Sequence, residues 1–328
     1  MLPSRRIRIA LGVALGILFV GYCVKIFLPT TIHARVPVAL TVNKGQSLLS
    51  ISKELESMGI IDSPFTFRML VSLRAKQHNI PAGVYVFGDT TSLMQPRISL
   101  YTVASRLARR DYGYKKIKVT IPKGLNVFDI AQRITAKVPS ISALEFASSA
   151  APYEGYLFPE TYFISPYATS GEIINEMRTT FNTEVLQNAT ITTAIASSGH
   201  SLAEIITMAS ILEGEVRTTE DRQLVADLLW RRIQEGMPLQ VDSTFTYINQ
   251  KTSAELTAAD LKIDSKYNTY KYRGLPPGPI SNPGIDTIMA ALNPTKNNYV
   301  YFLNDKNGVT HFARTLKEHV QLKNKYLK

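Results

Sequence analysis

The chain has 328 residues, of which 45% are hydrophobic, so it is long enough for two compact domains with hydrophobic cores. Its formal net charge of +11 is compatible with nucleic acid, an anionic membrane surface or an anionic polymer. The sequence shows no zinc-ligand spacing, no RNA-binding sheet motif and no Arg-rich helix, so we expect no nucleic acid partner.

The first 30 residues have the composition of a membrane anchor. Arg5, Arg6 and Arg8 precede an uncharged apolar run over 9–24, and Lys25 can extend toward the headgroups, so about 20 residues are available to span a bilayer. The basic cluster predicts a cytoplasmic N-terminus and an exported remainder. A cleaved signal peptide is the alternative, but no small-residue cleavage site follows the run, and we favour an uncleaved anchor.

Residues 36–112 predict a small α+β subdomain, and one piece of it recurs later in the chain. The segments 42–51 and 121–130 share a strand, a Lys-Gly turn, a polar N-cap and an apolar helix face. Ser47 and Asn126 are the predicted caps. A strand-turn-helix of this kind resembles the LysM-type glycan-binding module. Two similar pieces that support separate cores are the alternative.

The segment 153–164, YEGYLFPETYFI, combines five aromatic residues with two acids. Aromatic rings beside carboxylates suit a carbohydrate, which has apolar ring faces and polar edges; buried rings of a core strand are the alternative. An amphipathic helix is predicted over 170–187. The Ser-, Thr- and Ala-rich segment 188–199 then predicts a polar connection.

The stretch SLAEIITMASILEGEVR predicts a helix with two carboxylates at its end. Ser201 and Glu204 have the spacing of a capping box, and apolar residues recur behind them at helical intervals. Glu213 and Glu215 flank Gly214, and a glycine inside a helix costs about 1 kcal/mol relative to alanine. Conflicts of this kind with local rules concentrate at functional sites.

The two carboxylates are predicted to point in different directions. Two residues along a helix correspond to a rotation of roughly 200°, so Glu213 and Glu215 cannot share one cleft. Glu215 extends an apolar stripe that includes Met208 and Leu212, where loss of hydration would raise its pKa and suit a general acid. Two surface glutamates beside Arg217 are the alternative.

Two segments after this helix are candidates for a binding cleft. The segment 238–248, PLQVDSTFTYI, alternates polar and aromatic residues, and a strand with one solvated face is its alternative interpretation. The segment 265–284, SKYNTYKYRGLPPGPISNPG, is too rich in Pro and Gly for a helix or a central strand, so it predicts a long ordered loop of the kind that usually carries function.

Three further elements are predicted near the C-terminus. Pro283 is expected in the first turn of a helix. Asn307-Gly308 predicts the turn of a β-hairpin. A basic helix over 315–327 follows the hairpin.

Four long stretches together resemble one family, the YceG-like (MltG) endolytic murein transglycosylases. In chain order they read EGYLFPETYFI, MASILEGEVRTTEDRQLVADLLWRRIQEGMPLQVDSTFTY, YNTYKYRGLPPGPISNPG and YVYFLNDKNGVTHF. The resemblance implies an α+β protein with a transmembrane anchor over 1–30, a LysM-like subdomain over 36–112 and a mixed α+β catalytic domain over 113–328. It implies neither a cofactor nor a metal.

The resemblance also implies a reaction. Members of the family cleave the β-1,4 bond between MurNAc and GlcNAc of nascent glycan strands without water, which leaves 1,6-anhydroMurNAc ends and terminates elongation. One glutamate acts first as acid and then as base, and the sugar's own C6 hydroxyl attacks, so the second carboxylate of an ordinary glycosidase is dispensable. The family pattern assigns this role to Glu215. Glu213 stays the alternative or a supporting residue, because Gly214 and Val216 depart from the family's usual residues.

The matched positions and their polar neighbours give the expected substrate contacts: Gln240, Asp242, Thr244, Tyr247, Tyr267, Asn268, Tyr270 and Asn282. Expected partners are peptidoglycan glycan strands, the membrane and peptidoglycan synthases. The expected location is the cell inner membrane, with a single span and the catalytic domain on the periplasmic or extracytoplasmic side. Two alternatives from other classes are a non-catalytic wall-binding scaffold and a hydrolase that leaves reducing ends.

Overall fold

The protein is a mixed α+β structure, as the sequence predicts. A computed structural model describes residues 5–28, 30–31, 37–74, 80–88 and 97–327, so residues 36, 75–79 and 89–96 of the expected subdomain lie outside the described part. Over the described ranges the chain forms thirteen α-helices and four two-stranded sheets. Each sheet is antiparallel. The chain divides into two compact units, Met1–Lys115 and Lys116–Lys328.

The first unit has four helices and four strands in its described part. In chain order they are α1 (Arg5–Phe27), β1 (Thr30–Thr31), β2 (Val38–Val42), α2 (Leu48–Ser57), α3 (Pro64–Arg74), β3 (Gly83–Phe87), β4 (Arg97–Ile98) and α4 (Leu100–Arg109). Strand β2 pairs with β3, and α2, α3 and α4 pack their apolar faces around this hairpin-like sheet in one core.

The second unit has nine helices and four strands in its described part. In chain order they are β5 (Ile117–Thr120), α5 (Val127–Thr135), α6 (Ala143–Ala150), β6 (Thr161–Ile164), α7 (Ser170–Phe181), α8 (Ala189–Ser198), α9 (Leu202–Glu215), α10 (Thr219–Gln234), α11 (Ser243–Asn249), α12 (Ile285–Leu292), β7 (Tyr301–Asn304), β8 (Thr310–Ala313) and α13 (Leu316–Tyr326). One core lies between the β5–β6 sheet and α5, α6 and α7. A larger core surrounds α9, which packs against α10 and α12.

The two repeated segments fold alike. Strand β2 leads to α2 and strand β5 leads to α5, and each turn contains a glycine with a positive φ, 81° at Gly45 and 83° at Gly124. The caps are the predicted ones: the Ser47 hydroxyl accepts from the Ser50 N–H, and the Asn126 side chain accepts two backbone N–H groups of α5. Each first strand pairs antiparallel with a later strand of its own unit.

Helix α1 is continuous but falls short of a clear membrane span. Its apolar side chains are largely exposed, with Ile17, Leu18 and Phe19 at 68–69%. Among the described residues, no single helix combines the length and the hydropathy of a span; the apolar part Gly12–Tyr22 is too short, and only the bent pair Ala189–Ser198 and Leu202–Glu215 meets both criteria jointly.

Three local predictions in the second unit are wrong. The segment 188–199 is the helix α8, because the Asn188 side chain caps it by accepting two backbone N–H groups. The alternative interpretation of the segment 238–248 as a strand is wrong, because residues 243–249 form the helix α11. Helix α12 begins after Gly284 and not at Pro283, since Gly284 is its N-cap. The hairpin at Asn307-Gly308, which is β7–β8, and the basic helix α13 are confirmed.

We expect loss of the Asn126 cap to destabilise the second unit. Asn126 is 7% exposed and accepts from the Phe128 and Asp129 N–H groups, so Asn126→Ala leaves two donors unpaired. The substitution should lower the free energy of unfolding by about 1–2 kcal/mol. Thermal unfolding of the full chain measures it, with Asn126→Asp as the control that keeps an accepting oxygen. Equal midpoints for Asn126→Ala and the unmodified chain would contradict this role.

Candidate active site

Helix α9 carries the two carboxylates to the edge of the larger core. It begins with the predicted capping box, in which the Ser201 hydroxyl accepts from the Glu204 N–H and the Glu204 carboxylate accepts from the Ser201 N–H. The residues from Ile205 to Leu212 are all buried. The helix is therefore held firmly along its length, and its last turn is rigidly placed.

Glu213 belongs to a buried network of ion pairs and hydrogen bonds. Its carboxylate lies 2.8 Å from Arg222 Nη2 and accepts from the Thr287 hydroxyl at 2.6 Å and the Gly284 N–H at 3.1 Å. The side chains of Glu213 and Arg222 are only 3% and 4% exposed. Two of these donors lie at the N-terminus of α12, where the helix dipole favours a carboxylate. Glu213 thus links α9, α10 and α12.

Asp286 extends the same network toward solvent. Its carboxylate lies 2.6 Å from both Arg222 Nη1 and Lys123 Nζ. Burial opposes ionisation of Asp286, but the two cations outweigh burial and lower its pKa. Arg222 is therefore paired with two carboxylates and has no free charge to offer to a ligand.

Glu215 points to a different environment. The residue is half-buried, and its carboxyl Oε1 accepts from the Ser243 N–H at 2.9 Å. Burial raises the pKa of Glu215, the hydrogen bond from the Ser243 N–H opposes this increase, and the nearby charge of Asp242 adds to it. No ion pair joins Glu215 to a cation within the described residues. The carboxyl group is thus biased toward its protonated form.

Gly214 is required by the close packing of two helices. A Cβ atom at this position would lie 2.9 Å from the Cβ of Ser243, the first residue of α11. Only a residue without a side chain lets α11 approach closely enough for the Ser243 N–H to reach Glu215. The unfavourable helical glycine is explained by this contact.

Glu215 lies on the wall of a cavity of about 690 Å³. Three of the predicted substrate residues, Gln240, Asp242 and Tyr270, share this wall. The Tyr270 hydroxyl donates to Asp242 at 2.6 Å, and burial and this contact raise the pKa of Tyr270. Gln240 has a φ of 53°, which is uncommon for a residue other than glycine and fixes the direction of the chain there.

The other predicted contacts do not line this cavity. Thr244, Asn268 and Asn282 are at most 1% exposed. Their side chains hydrogen-bond within the protein: the Thr244 hydroxyl to the Val241 carbonyl, and the two asparagine amides to backbone carbonyls. These residues hold loops in place. Tyr247 and Tyr267 pack together, with ring centroids 4.8 Å apart, against the larger core.

The aromatic segment 153–164 is mainly a core element. Leu157, Phe158 and Tyr162 are buried. Glu154 is 6% exposed, accepts from the Val127 N–H and the Asn282 amide, and has its pKa raised to about 7 chiefly by burial. The segment therefore supports the fold, and its interpretation as a carbohydrate-stacking surface is not supported by these positions.

Several residues of the cavity were missed by sequence reasoning. They are Arg232, Ser253, Tyr301, Asn304, Asp305, His319 and Lys323. Asn304 donates to the Glu215 backbone carbonyl at 2.6 Å, so the β7–β8 hairpin holds the end of α9. One signal was available, since Arg232 interrupts the apolar face of α10. The described residues contain no group of three His, Cys, Asp or Glu side chains arranged to hold a metal.

Because Glu213 and Glu215 lie in contrasting environments, we expect the substitution of Glu by Gln to have opposite effects on stability at the two positions. Glu213→Gln removes the charge that compensates buried Arg222 and should lower the free energy of unfolding by roughly 3 kcal/mol. Glu215→Gln should not destabilise the protein. The pKa of Glu215 is raised in the folded state. The contribution of its protonated carboxyl group to the free energy of unfolding is therefore complete below the ordinary pKa of 4.5 and is lost as the pH rises through the pKa of the folded state.

The variant Glu215→Gln should therefore match the unmodified chain at about pH 4 and become the more stable of the two as the pH rises. Thermal midpoints of the three proteins between pH 4 and pH 8 measure both effects. A destabilised Glu215→Gln, or a Glu213→Gln as stable as the parent, would show that the two environments are assigned the wrong way round.

Known proteins share this architecture. The sequence model of the YceG-like family matches residues 40–325. An endolytic murein transglycosylase of Bacillus subtilis is 30% identical over 91% of this chain and 87% of its own length. A Streptococcus pneumoniae endolytic murein transglycosylase is 28% identical over 91% of this chain, which spans 60% of that protein. The crystal structure of a YceG-like protein from Listeria monocytogenes has a TM-score of 0.57 at 29% identity and covers 87% of this chain and 98% of its own.

The match begins at residue 40, so the likeness extends well before the four stretches that first indicated it and includes residues 40–115 of the first unit. The family match covers most of the chain, and the Bacillus subtilis relative and the Listeria monocytogenes crystal structure agree with it. The chain belongs to the YceG-like family.

Proposed function

We propose that this chain is an endolytic murein transglycosylase with Glu215 as its catalytic acid and base. The names of its relatives in Bacillus subtilis and Streptococcus pneumoniae support the activity. The observation that carries the residue assignment is the position of Glu215, an acid with a raised pKa and no paired cation on the wall of the 690 Å³ cavity. A cleft of this size accommodates a few sugar rings.

The reaction needs one proton that leaves Glu215 and returns to it. Protonated Glu215 donates to the glycosidic oxygen as the C1–O4 bond of MurNAc breaks, so the leaving GlcNAc keeps its hydroxyl. The C6 hydroxyl of the same MurNAc attacks C1, and the Glu215 carboxylate accepts the proton from O6. The product is a 1,6-anhydroMurNAc end, and no water is consumed. The second carboxylate of an ordinary glycosidase is not needed, because the substrate supplies the nucleophile.

The surroundings of Glu215 suit both protonation states. Burial raises the pKa so that the acid is available to the leaving oxygen. After the proton has left, the Ser243 N–H at 2.9 Å stabilises the carboxylate. Glu213 does not share this role, because its oxygens are occupied by Arg222, Thr287 and Gly284. We assign Glu213 to holding the end of α9 in place.

The remaining site residues divide into two groups in this proposal. Gln240, Asp242 and Tyr270 line the cavity and contact the glycan. Thr244, Tyr247, Tyr267, Asn268 and Asn282 act indirectly, by fixing the loops and helix that present the first group. Asn268, for example, accepts from the Tyr270 N–H and donates to two carbonyls, so it sets the position of Tyr270.

We expect Glu215→Gln to abolish cleavage, because the amide cannot supply a proton. Incubation of the full chain with purified glycan strands should release anhydro-ended fragments, and mass spectrometry should show about a thousandfold less product for the variant. Glu213→Gln is the matched control and should retain product formation below its unfolding temperature. Near-normal release by Glu215→Gln would remove the assignment and point to Glu213.

The same digest separates the alternative functions. A hydrolase gives fragments heavier by one water, and a non-catalytic scaffold binds strands without releasing any. The scaffold keeps its place as the second candidate because the strand-turn-helix of the first unit, which recurs in the second unit, has the features of a LysM-like binding module.

We further propose a membrane-anchored arrangement. Helix α1 would form a single span with a cytoplasmic N-terminus, residues 36–112 a LysM-like subdomain, and residues 113–328 a catalytic domain outside the cytoplasmic membrane. The exposed apolar side chains of α1 support the anchor. An enzyme held at this membrane acts on nascent strands near their synthases, which makes those synthases its expected partners and glycan termination its expected role.

Charges in α1 should detach the protein from membranes. Leu15→Arg and Leu18→Arg together place two cations in the centre of the span, each at a cost of about 2.5–3.5 kcal/mol. Immunoblots of carbonate-washed membranes should show the full chain in the pellet and the double variant in the supernatant. Leu144→Arg, at another exposed leucine on α6, is the control and should stay in the pellet. Retention of the double variant would exclude α1 as the anchor.

A further inference from the structure

Three buried polar atoms around the Glu215 cavity have no hydrogen-bond partner. Within the described part of the chain, they are Arg232 Nε, Ser243 Oγ and His319 Nδ1. Arg232 and His319 line the cavity, and Ser243 bonds Glu215 through its backbone. Unpaired buried polar atoms are rare in native proteins, and a group of them at one cavity indicates that a ligand completes their bonding.

Arg232 is the most unusual of the three. It is 8% exposed, and its two terminal nitrogens donate to the backbone carbonyls of Leu239 and Val300. It forms no ion pair with any described carboxylate. A buried guanidinium normally has a carboxylate or phosphate partner, because its charge is otherwise costly to remove from water. Arg232 therefore presents an uncompensated cation to the cavity.

Helix α13 adds two more groups to the same wall. His319 and Lys323 are one helical turn apart and both line the cavity. The His319 ring stacks on Tyr301 with centroids 5.2 Å apart. Burial and the charges of Lys323 and Arg232 lower the pKa of His319, so the ring is neutral near pH 7 and contributes hydrogen bonding without charge.

The acids of the cavity are already engaged. Asp242 accepts from the Tyr270 hydroxyl, and Asp305 pairs with His311 at 3.0 Å and accepts from two backbone N–H groups of the β7–β8 turn. Glu215 is biased toward its neutral form. None of these acids lies within ion-pairing distance of Arg232 or Lys323.

We propose that Arg232, His319 and Lys323 form a carboxylate-binding subsite beside Glu215, which holds an acidic group carried by the muramyl residue of the strand. An Arg side chain with free N–H groups and a nearby ammonium are the donors that carboxylates prefer. The subsite rests on the proposed function, since that function brings a muramyl glycan into the cavity. It selects strands by an acid that is either the free lactyl group or part of the peptide attached to it, as well as by their sugar backbone.

Two sources supply such a carboxylate. A strand that bears stem peptides carries it on the peptide, and a peptide-free strand carries it as the free lactyl group. The experiment therefore compares three soluble uncrosslinked preparations: peptide-bearing strands, the same strands with all carboxyls converted to amides, and peptide-free strands. Affinity is measured with full-length Glu215→Gln, which keeps the strands intact, and cleavage is measured in parallel with the unmodified chain.

We expect the full-length Glu215→Gln protein to bind one of the acidic preparations about fivefold more tightly than the amidated one. Adding Lys323→Gln, or His319→Phe, which preserves the stacking on Tyr301, should reduce this preference to less than twofold. Lys317→Gln, an exposed lysine of α13 outside the cavity, is the matched control and should leave the preference intact. The acidic preparation that binds more tightly identifies the source of the carboxylate.

Equal affinity for acidic and amidated strands, or a preference that survives both Lys323→Gln and His319→Phe, would overturn the subsite. Failure of the proposed function has a different signature: the unmodified chain cleaves none of the three preparations. If the acidic preference holds and depends on Lys323 in that case, the subsite stands as part of a binding protein. Arg232→Lys, which keeps the charge but removes Nε, tests whether the planar donor is needed, because its preference should fall like that of Lys323→Gln.

Discussion

The ion pair between Glu213 and Arg222 is the interaction on which the site depends. It joins the end of α9 to α10, and the hydrogen bonds from Thr287 and Gly284 add the start of α12. A buried ion pair is rarely a large net source of stability, but it is costly to break and it tolerates only one geometry. In this protein it fixes the rotation of the last helical turn, and that rotation decides where Glu215 points.

The helical period then gives the two carboxylates separate environments, because residues two positions apart on a helix point in different directions. Glu213 is surrounded by donors and cations, whereas Glu215, two residues on, receives a single backbone N–H and faces a cavity. Gly214 between them makes the second environment possible, because a side chain there would collide with Ser243 and move α11 away. The sequence Glu-Gly-Glu is therefore one structural unit, in which Glu213 supports the end of the helix, Gly214 is the contact point and Glu215 is the proposed catalytic acid.

The local structure was readable from the sequence, and the assembled site was only partly so. Caps at Ser47, Asn126 and Ser201 and the β7–β8 hairpin depend on residues within a few positions of one another, and all were predicted. The divergence of the two glutamates also followed from the helical period. The groups that define the environment of Glu215 lie 28 and 89 residues away, at Ser243 and Asn304, and no local pattern indicates such contacts. Burial separates Asn268 and Asn282 from the cavity: their polarity resembled a binding surface, but their amides donate to backbone carbonyls.

A single residue that serves as acid and then as base needs a pKa that is raised only within limits. If burial alone acted on Glu215, the carboxylate formed after proton donation would be too unstable, and the leaving group would recapture its proton. The Ser243 N–H counteracts burial, and Arg232 gives the cavity a positive charge that favours the carboxylate. Asp242 acts in the opposite direction and favours the acid. The reactivity that we propose for Glu215 thus depends on a balance of opposing electrostatic effects around one carboxyl group, which the buried network at Glu213 keeps in a fixed position.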